Sequence, residues 1–144
     1  MSTEQNKVKV RRVIEEVFNK GNLSVAEEIM ANDYVYHMGQ GMEFKGPDGF
    51  KQLAIIFRNA FPDLHMAVED MIAEGDKVAA RFTLRGTHKG DLMGIAPTGK
   101  QFTTTGNVII RFAGGKEVEA FGAADMLAMY QQLGVAPPIG PGGK

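Results

Sequence analysis

The stretch Lys77–His88, KVAARFTLRGTH, decides the fold. Val78, Ala80, Phe82, Leu84, Gly86 and His88 fall on one parity, and Lys77, Arg81, Thr83 and Arg85 on the other. Apolar residues repeating every second position form one face of a pleated strand, whereas a helix would scatter them around its axis. The same period extends both ways. Upstream, Leu64, Met66, Val68 and Ile72 share a parity against His65 and Glu69, and Gly75-Asp76 between the two runs predicts a turn. Downstream, Phe102, Thr104, Gly106, Val108, Ile110 and Phe112 alternate with Gln101, Thr103, Asn107 and Arg111. Gly114-Gly115 predicts a hairpin, after which Val118, Ala120, Gly122 and Ala124 oppose Glu117, Glu119 and Phe121. Four antiparallel strands follow from period and turns alone.

Before residue 62 the period is helical. Val10, Val13, Ile14, Val17 and Phe18 make an amphipathic stripe ending near Lys20-Gly21. Ser24-Val-Ala-Glu27 has the form of a capping box opening a second helix through Met30. Tyr34–His37 reads as a short strand and residues 39–46 as a Gly-rich loop. Pro47 suits the first turn of a third helix, whose stripe is Phe50, Leu53, Ala54, Phe57 and Phe61, with Pro62 as its stop. Asp125 caps a last helix carrying Met126, Met129, Tyr130 and Leu133, and Gly134 ends it. The order ααβα, four strands and a helix predicts an α+β fold, a curved antiparallel sheet packed on three N-terminal helices with a short C-terminal helix. One domain is expected over 1–136, with a flexible tail at 137–144.

The chain of 144 residues has a net charge of -1 and no cysteine, which removes disulfides and thiolate chemistry. Nothing in this balance draws it to nucleic acid or to an anionic membrane. No apolar run reaches the length of a membrane span, and the polar N-terminus lacks a signal-peptide core, so a cytoplasmic protein is expected. His37, His65 and His88 are too scattered to read as a metal set, and neither metal nor cofactor is expected.

Polar and small residues on the apolar parity mark the candidate site. His88 points inward with Phe82 and Leu84; a buried neutral ring can accept at one nitrogen and donate from the other, for a ligand or for the next turn. Thr104 is inward but easily satisfied locally. One of the pairs Tyr34/Tyr36 and Val35/His37 must face in, and a buried tyrosine hydroxyl needs a partner. Gly106 and Gly122 leave either room for a ligand or a tight helix contact. Asp125 is an acid in the cavity or an N-cap. The turn Gly90–Lys100, GDLMGIAPTGK, carries Leu92, Met93 and Ile95, apolar residues a solvated loop has no reason to expose. It is expected to lie over something.

The segments FKGPDGF (44–50), FPDLHMAVEDMIAEGDKVAARFTLRGTHKGDLMGIAPTGK (61–100) and AADMLAMYQQLG (123–134) resemble the SnoaL-like polyketide cyclases of the nuclear-transport-factor-2-like (ketosteroid-isomerase-like) superfamily. The resemblance implies a cone-shaped barrel with a deep apolar pocket and the greasy turn near its mouth. It also implies a homodimer or higher homo-oligomer through the outer sheet face. The activity implied is cofactor-independent intramolecular aldol cyclisation or isomerisation of a hydrophobic small molecule, with a carboxylate as acid/base. His88 matches the family's Thr-His-x-Gly signature and Asp125 the aspartate opening the last helix; both are the catalytic candidates. The family's acid follows the aromatic residue of the last strand, and here that position is Gly122. Gly106 and Val108 stand where polar residues face the cavity in characterised cyclases, and Phe18 and Leu53 replace polar pocket residues of some members. Phe18, Tyr36, Leu53, Phe57, Met93, Thr104, Gly106, Val108 and Gly122 are the expected ligand contacts. A pocket so stripped of polar groups is equally the description of a non-catalytic binding protein, which is the alternative.

Overall fold

The computed structural model describes residues 2–39 and 41–136; the tail expected to be flexible, 137–144, lies outside the described residues. Helix α1 spans Thr3–Arg12 and runs on as a π-helical segment, Val13–Asn19. Ser2 caps α1 in a reciprocal box with Gln5. Then come α2 (Ser24–Ile29), β1 (Met30–His37), β2 (Glu43–Lys45) and α3 (Gly46–Ala60). Strands β3 (His65–Glu74), β4 (Lys77–Thr87), β5 (Gln101–Ala113) and β6 (Lys116–Ala124) lead to α4 (Met126–Leu133). The α+β organisation expected from the period change is present, and one hydrophobic core joins the helices to the inner sheet face.

The sheet is a curved, open six-stranded one in the order β2-β1-β6-β5-β4-β3, with edges at β2 and β3 rather than a closed ring. It is also mixed: β1 runs parallel to β6, placing Tyr36 beside Ala120 and His37 beside Phe121. Glu43–Lys45, read as loop, forms β2 against β1; three residues are too few to show a period. The capping box expected at Ser24 does not form. Leu23 is the N-cap of α2, and the Ser24 hydroxyl donates to Asn22 Oδ1 instead, at 3.0 Å.

Side-chain amides finish what the ladder leaves open. On the β3 edge, Asn19 Nδ2 donates to the Met66 carbonyl (2.9 Å) and Asn19 Oδ1 accepts the Met66 N–H (2.7 Å). Beyond the end of β6, Gln132 makes the same exchange with the backbone of Thr103, at 2.7 and 2.9 Å, and fastens α4 to β5. Edge groups bonded in this way are protected against pairing with another chain.

Two β-bulges reset the parity. One lies between Val68 and Asp70 in β3. Beyond it Met71 and Ala73 turn to the core, while Ile72, expected inside, is 66% exposed. The other lies opposite Arg111/Phe112, where Arg111 pairs with Glu119 and Phe112 with Glu117, leaving Val118 as the inserted residue. With one residue added to the count, Glu117, expected outside, lies in the core, where it is 2% exposed.

Candidate active site

Helices and sheet enclose a cavity of about 550 Å³. Phe18, Leu53 and Phe57 form its helical wall, and Met66, Phe82 and Leu84 its sheet wall. Tyr36 and Gly122 meet on the side where β1 runs along β6, while Met93, Ile95, Asp125 and Tyr130 also border the space. This size suits one mid-sized organic molecule, and the lining is mostly apolar with few polar atoms to orient it.

The greasy turn has its explanation here. Leu92 is fully buried, and its backbone exchanges two hydrogen bonds with Ile95, at 2.9 and 2.8 Å. Gly94 N–H donates to Asp91 Oδ2 at 3.0 Å, and Met93 at the tip takes a φ of 46°, rare for a residue with a Cβ. The root is stitched to α3: Lys89 and Gly90 N–H both donate to the Ala60 carbonyl, at 2.9 and 3.1 Å. A Cβ on Gly90 would collide with the Asn59 carbonyl oxygen, so the loop sits directly on the helix end. Leu92 anchors the turn, and Met93 and Ile95 border the cavity.

Tyr36 and Gly122 fit together as one unit. A Cβ built on Gly122 would overlap the Tyr36 phenol oxygen and lie 2.7 Å from its Cζ. The hydroxyl therefore occupies the volume that any side chain at 122 would need. Burial pushes the phenol up to about 12. Of the two inward candidates in β1, the tyrosine pair is the one that faces in, with Tyr34 fully buried beside Phe50.

Asp125 does two things. Its Oδ1 accepts the Ala128 N–H at 3.0 Å, capping α4, and the residue also borders the cavity. Thr104 supports it from behind, its hydroxyl donating to the Asp125 carbonyl at 3.0 Å, and does not itself reach the cavity wall. Gly106 is also off the wall; a Cβ there would meet the Phe82 ring at 2.6 Å, so its smallness serves packing.

His88 lies apart from the cavity. The ring is completely buried and is not on the cavity wall. Its Nδ1 accepts the Thr98 N–H at 3.2 Å and lies 3.1 Å from the Thr98 hydroxyl. Its backbone bonds Lys100 and Gly99 at 2.9 Å each. An Nδ1 that accepts leaves the proton on Nε2. His88 thus ties the two ends of the loop together through Nδ1 and its backbone, while Nε2 is buried with no hydrogen-bond partner among the described residues.

Behind Phe18, Tyr36, Met66 and Phe82, which also border the main cavity, lies a small inner chamber of about 50 Å³. Val108, expected as a main-cavity contact, lines this chamber instead, with Tyr34, Ile110 and Glu117. Burial pushes the Glu117 carboxyl up to about 8, with Lys9 acting weakly in the opposite direction. Its Oε2 is buried with no hydrogen-bond partner among the described residues.

The SnoaL-like polyketide cyclase model matches residues 8–133. The chain belongs to that family. Two SnoaL-like relatives are aklanonic acid methyl ester cyclases. DnrD of Streptomyces peucetius is 29% identical over 136 residues, which is 92% of this chain and 93% of that protein. AcmA of Streptomyces galilaeus is 31% identical over 130 residues, 87% of this chain and 88% of that one. A SnoaL-like structure from Jannaschia sp. CCS1 superposes with a TM-score of 0.86 at 25% identity, covering 94% and 95% of the two chains.

For this SnoaL-like chain, sequence reading brought Phe18, Tyr36, Leu53, Phe57, Met93, Gly122 and Asp125 to one cavity. It missed Glu117. The available signal was the hairpin itself. A two-residue turn at Gly114-Gly115 sets Phe112 opposite Glu117, so the two share a face, and only an inserted residue lets Ala120 face the core as well. A bulge leaves no other mark in composition. Among the described residues no helix is long and apolar enough to cross a membrane.

Proposed function

We propose that this SnoaL-like protein catalyses intramolecular aldol cyclisation, or the related isomerisation, of a hydrophobic polycarbonyl compound, with the Tyr36 phenol standing where the family's acid would project from residue 122. The observation that supports this is the Tyr36–Gly122 pair: on the wall of an apolar cavity, the hydroxyl fills the volume that a side chain at 122 would need. A phenol raised to about 12 is neutral near pH 7 and serves as a hydrogen-bond donor, not a base. Among the described residues on the wall, Asp125 is the only carboxyl or imidazole and is the group that takes a proton from carbon. The enolate carbon then attacks a carbonyl of the same molecule. One C–C bond forms, the proton passes to the resulting alkoxide, and substrate and product are isomers, so the reaction needs no co-reactant. Tyr36 stabilises the oxyanion, and the apolar wall folds the chain so that its ends meet.

The second reading is a carrier that binds such a compound without converting it. Asp125 favours it, because an acid committed to capping α4 is a constrained base. The two separate in one experiment. Purified protein is incubated with aklanonic acid methyl ester, the compound named for the two relatives, and the mixture is read by mass-resolved chromatography and thermal shift. A ring-closed isomer whose formation falls roughly 10²-fold or more in Tyr36→Phe supports catalysis. A thermal shift with unchanged compound supports the carrier.

We also infer a homodimer through the outer sheet face. Ile72, Ala79, Ile109 and Phe121 are consecutive cross-strand partners on that face, a row of apolar side chains crossing from β3 to β6. The row continues to His37, whose ring stacks on Phe121 at 4.3 Å. Ile72, Ile109 and Phe121 are each half exposed or more, which an isolated subunit has no reason to offer water.

A further inference from the structure

Of the buried ionisable groups that the mechanism leaves unused, Tyr34, His88 and Glu117, Glu117 is the one with an unpartnered atom on a cavity wall. Glu117 lies on the chamber wall, 2% exposed, and Oε2 has no protein partner among the described residues. Burying a carboxyl without a hydrogen bond is costly in an apolar setting, so a residue of this kind on a chamber wall marks a place where something polar arrives. Lys9 does not neutralise it: the Lys9 ammonium donates to the Gly115 carbonyl and acts on Glu117 only at a distance. Tyr34 is the other ionisable group on the chamber wall that feels the carboxyl, and its hydroxyl is raised by burial and by Glu117. Apart from the Tyr36 phenol, the remaining lining is apolar.

The chamber and the main cavity meet at Phe18, Tyr36, Met66 and Phe82, which border both. About 50 Å³ accommodates one or two heavy atoms, since a water's share of liquid is about 30 Å³. A ring is too large, and a single oxygen substituent fits. Met66 is the pliable member of the collar, unbranched and able to change rotamer without loss of packing.

We infer that the inner chamber is a second, polar subsite, in which Glu117 hydrogen-bonds a hydroxyl or carbonyl oxygen at the leading end of an elongated apolar ligand and so fixes which end enters first. The inference rests on the reading of the cone as a ligand cavity, and is independent of whether the ligand is converted. Raised to about 8, the carboxyl is protonated near neutral pH and offers one donor and one acceptor, which suits either oxygen type.

The test uses the whole protein and two fluorescent ligands of nearly one shape, 2-hydroxyanthracene and 2-methylanthracene, titrated into wild type, Glu117→Leu, Glu117→Gln and Tyr36→Phe. Wild type is expected to prefer the hydroxyl compound by about tenfold, the worth of one buried hydrogen bond. Glu117→Leu is expected to abolish or reverse the preference and Glu117→Gln to retain most of it. Leucine removes a buried polar group, so folding is not at risk, and the methyl compound reports on the cavity in every variant. A preference lost in Tyr36→Phe but kept in Glu117→Leu overturns the inference, because the oxygen then stays in the outer cavity. Equal binding of both ligands overturns it too, leaving the chamber to solvent. If neither ligand binds any variant, the cone is not a ligand cavity and both readings fall. Binding of the methyl compound alone defeats only this one. A shift in the infrared carboxyl band of 13C-labelled glutamate, present with the hydroxyl ligand and absent in Glu117→Gln, gives a second readout on the same atoms.

Discussion

The hydroxyl of Tyr36 occupies the space in which a side chain of residue 122 would stand. The two positions therefore compete: a side chain at 122 requires the Tyr36 ring to move, since the overlap falls on the phenol oxygen and, at 2.7 Å, on Cζ. Gly122→Asp alone is expected to destabilise the fold by about 1–3 kcal/mol through overpacking. Gly122→Asp with Tyr36→Phe removes the oxygen on which the overlap centres and is expected to regain part of that loss. Urea unfolding of wild type and the two variants checks it; a Gly122→Asp single variant as stable as wild type would show that Tyr36 swings aside freely.

Glu117 ties stability to pH in a stated direction. Between its ordinary value of 4.5 and about 8, the unfolded chain has lost this proton and the folded chain keeps it. The folded state thus binds more protons, and stability falls as pH rises through that window. The loss amounts to a few kcal/mol by the alkaline end, on the order of the shift itself. Glu117→Gln has no proton to lose, so its stability relative to wild type is expected to increase steadily from pH 5 to pH 8. Asp63 and Glu119 act elsewhere. Their hydrogen bonds, to Thr87 and to His37, hold both carboxyls low, so their contribution is lost only as pH falls below the ordinary carboxylate range. Parallel curves for wild type and Glu117→Gln would defeat the prediction.

His88→Ala is expected to cost about 2–4 kcal/mol of stability, from the cavity left and from an unpaired Thr98 N–H. Per folded molecule, conversion of substrate should fall less than in Tyr36→Phe. A variant that keeps full stability and loses all turnover would return the proton-transfer role to the histidine.

Charging the outer apolar row tests the dimer. Phe121→Lys and Ile109→Lys point into solvent in one subunit and should fold normally, yet run as monomers in light scattering coupled to size exclusion. Wild type that is monomeric at every concentration tested would sink the assembly, and dimeric variants would move it to another face.

Most of the architecture was legible because burial imposes period two on strands and period near four on helices. Val78, Ala80, Phe82, Leu84, Gly86 and His88 lie inside as the alternation demands, and Tyr36, Phe18, Leu53 and Asp125 border one cavity. Two kinds of information were not in the pattern. The first is insertion: Val118 and the residue between Val68 and Asp70 each add one to the count, and across those points Glu117 and Ile72 change sides. The second is local bonding. His88 and Thr104 have the right parity for a site, but Thr98 and the Asp125 carbonyl, brought near only by the fold, engage His88 Nδ1 and the Thr104 hydroxyl first.

The bulge at Val118 has a genetic consequence. The hairpin holds Glu117 opposite Phe112, while the later pairs hold Ala120 and Gly122 opposite Ile110 and Val108. Three positions separate Glu117 from Ala120, an odd number, and the spare residue is what lets both lie inside. Loss of the Val118 codon would therefore leave both inward sets where they are, with plain alternation between them. Loss of a codon after Ala120 would instead turn Gly122 away from Tyr36. Length in this strand is free to vary at one point only. Related chains shorter by one residue there would keep the same tip and the same mouth, and a gap set a single letter out of place would pair an inward residue of one with an outward residue of the other.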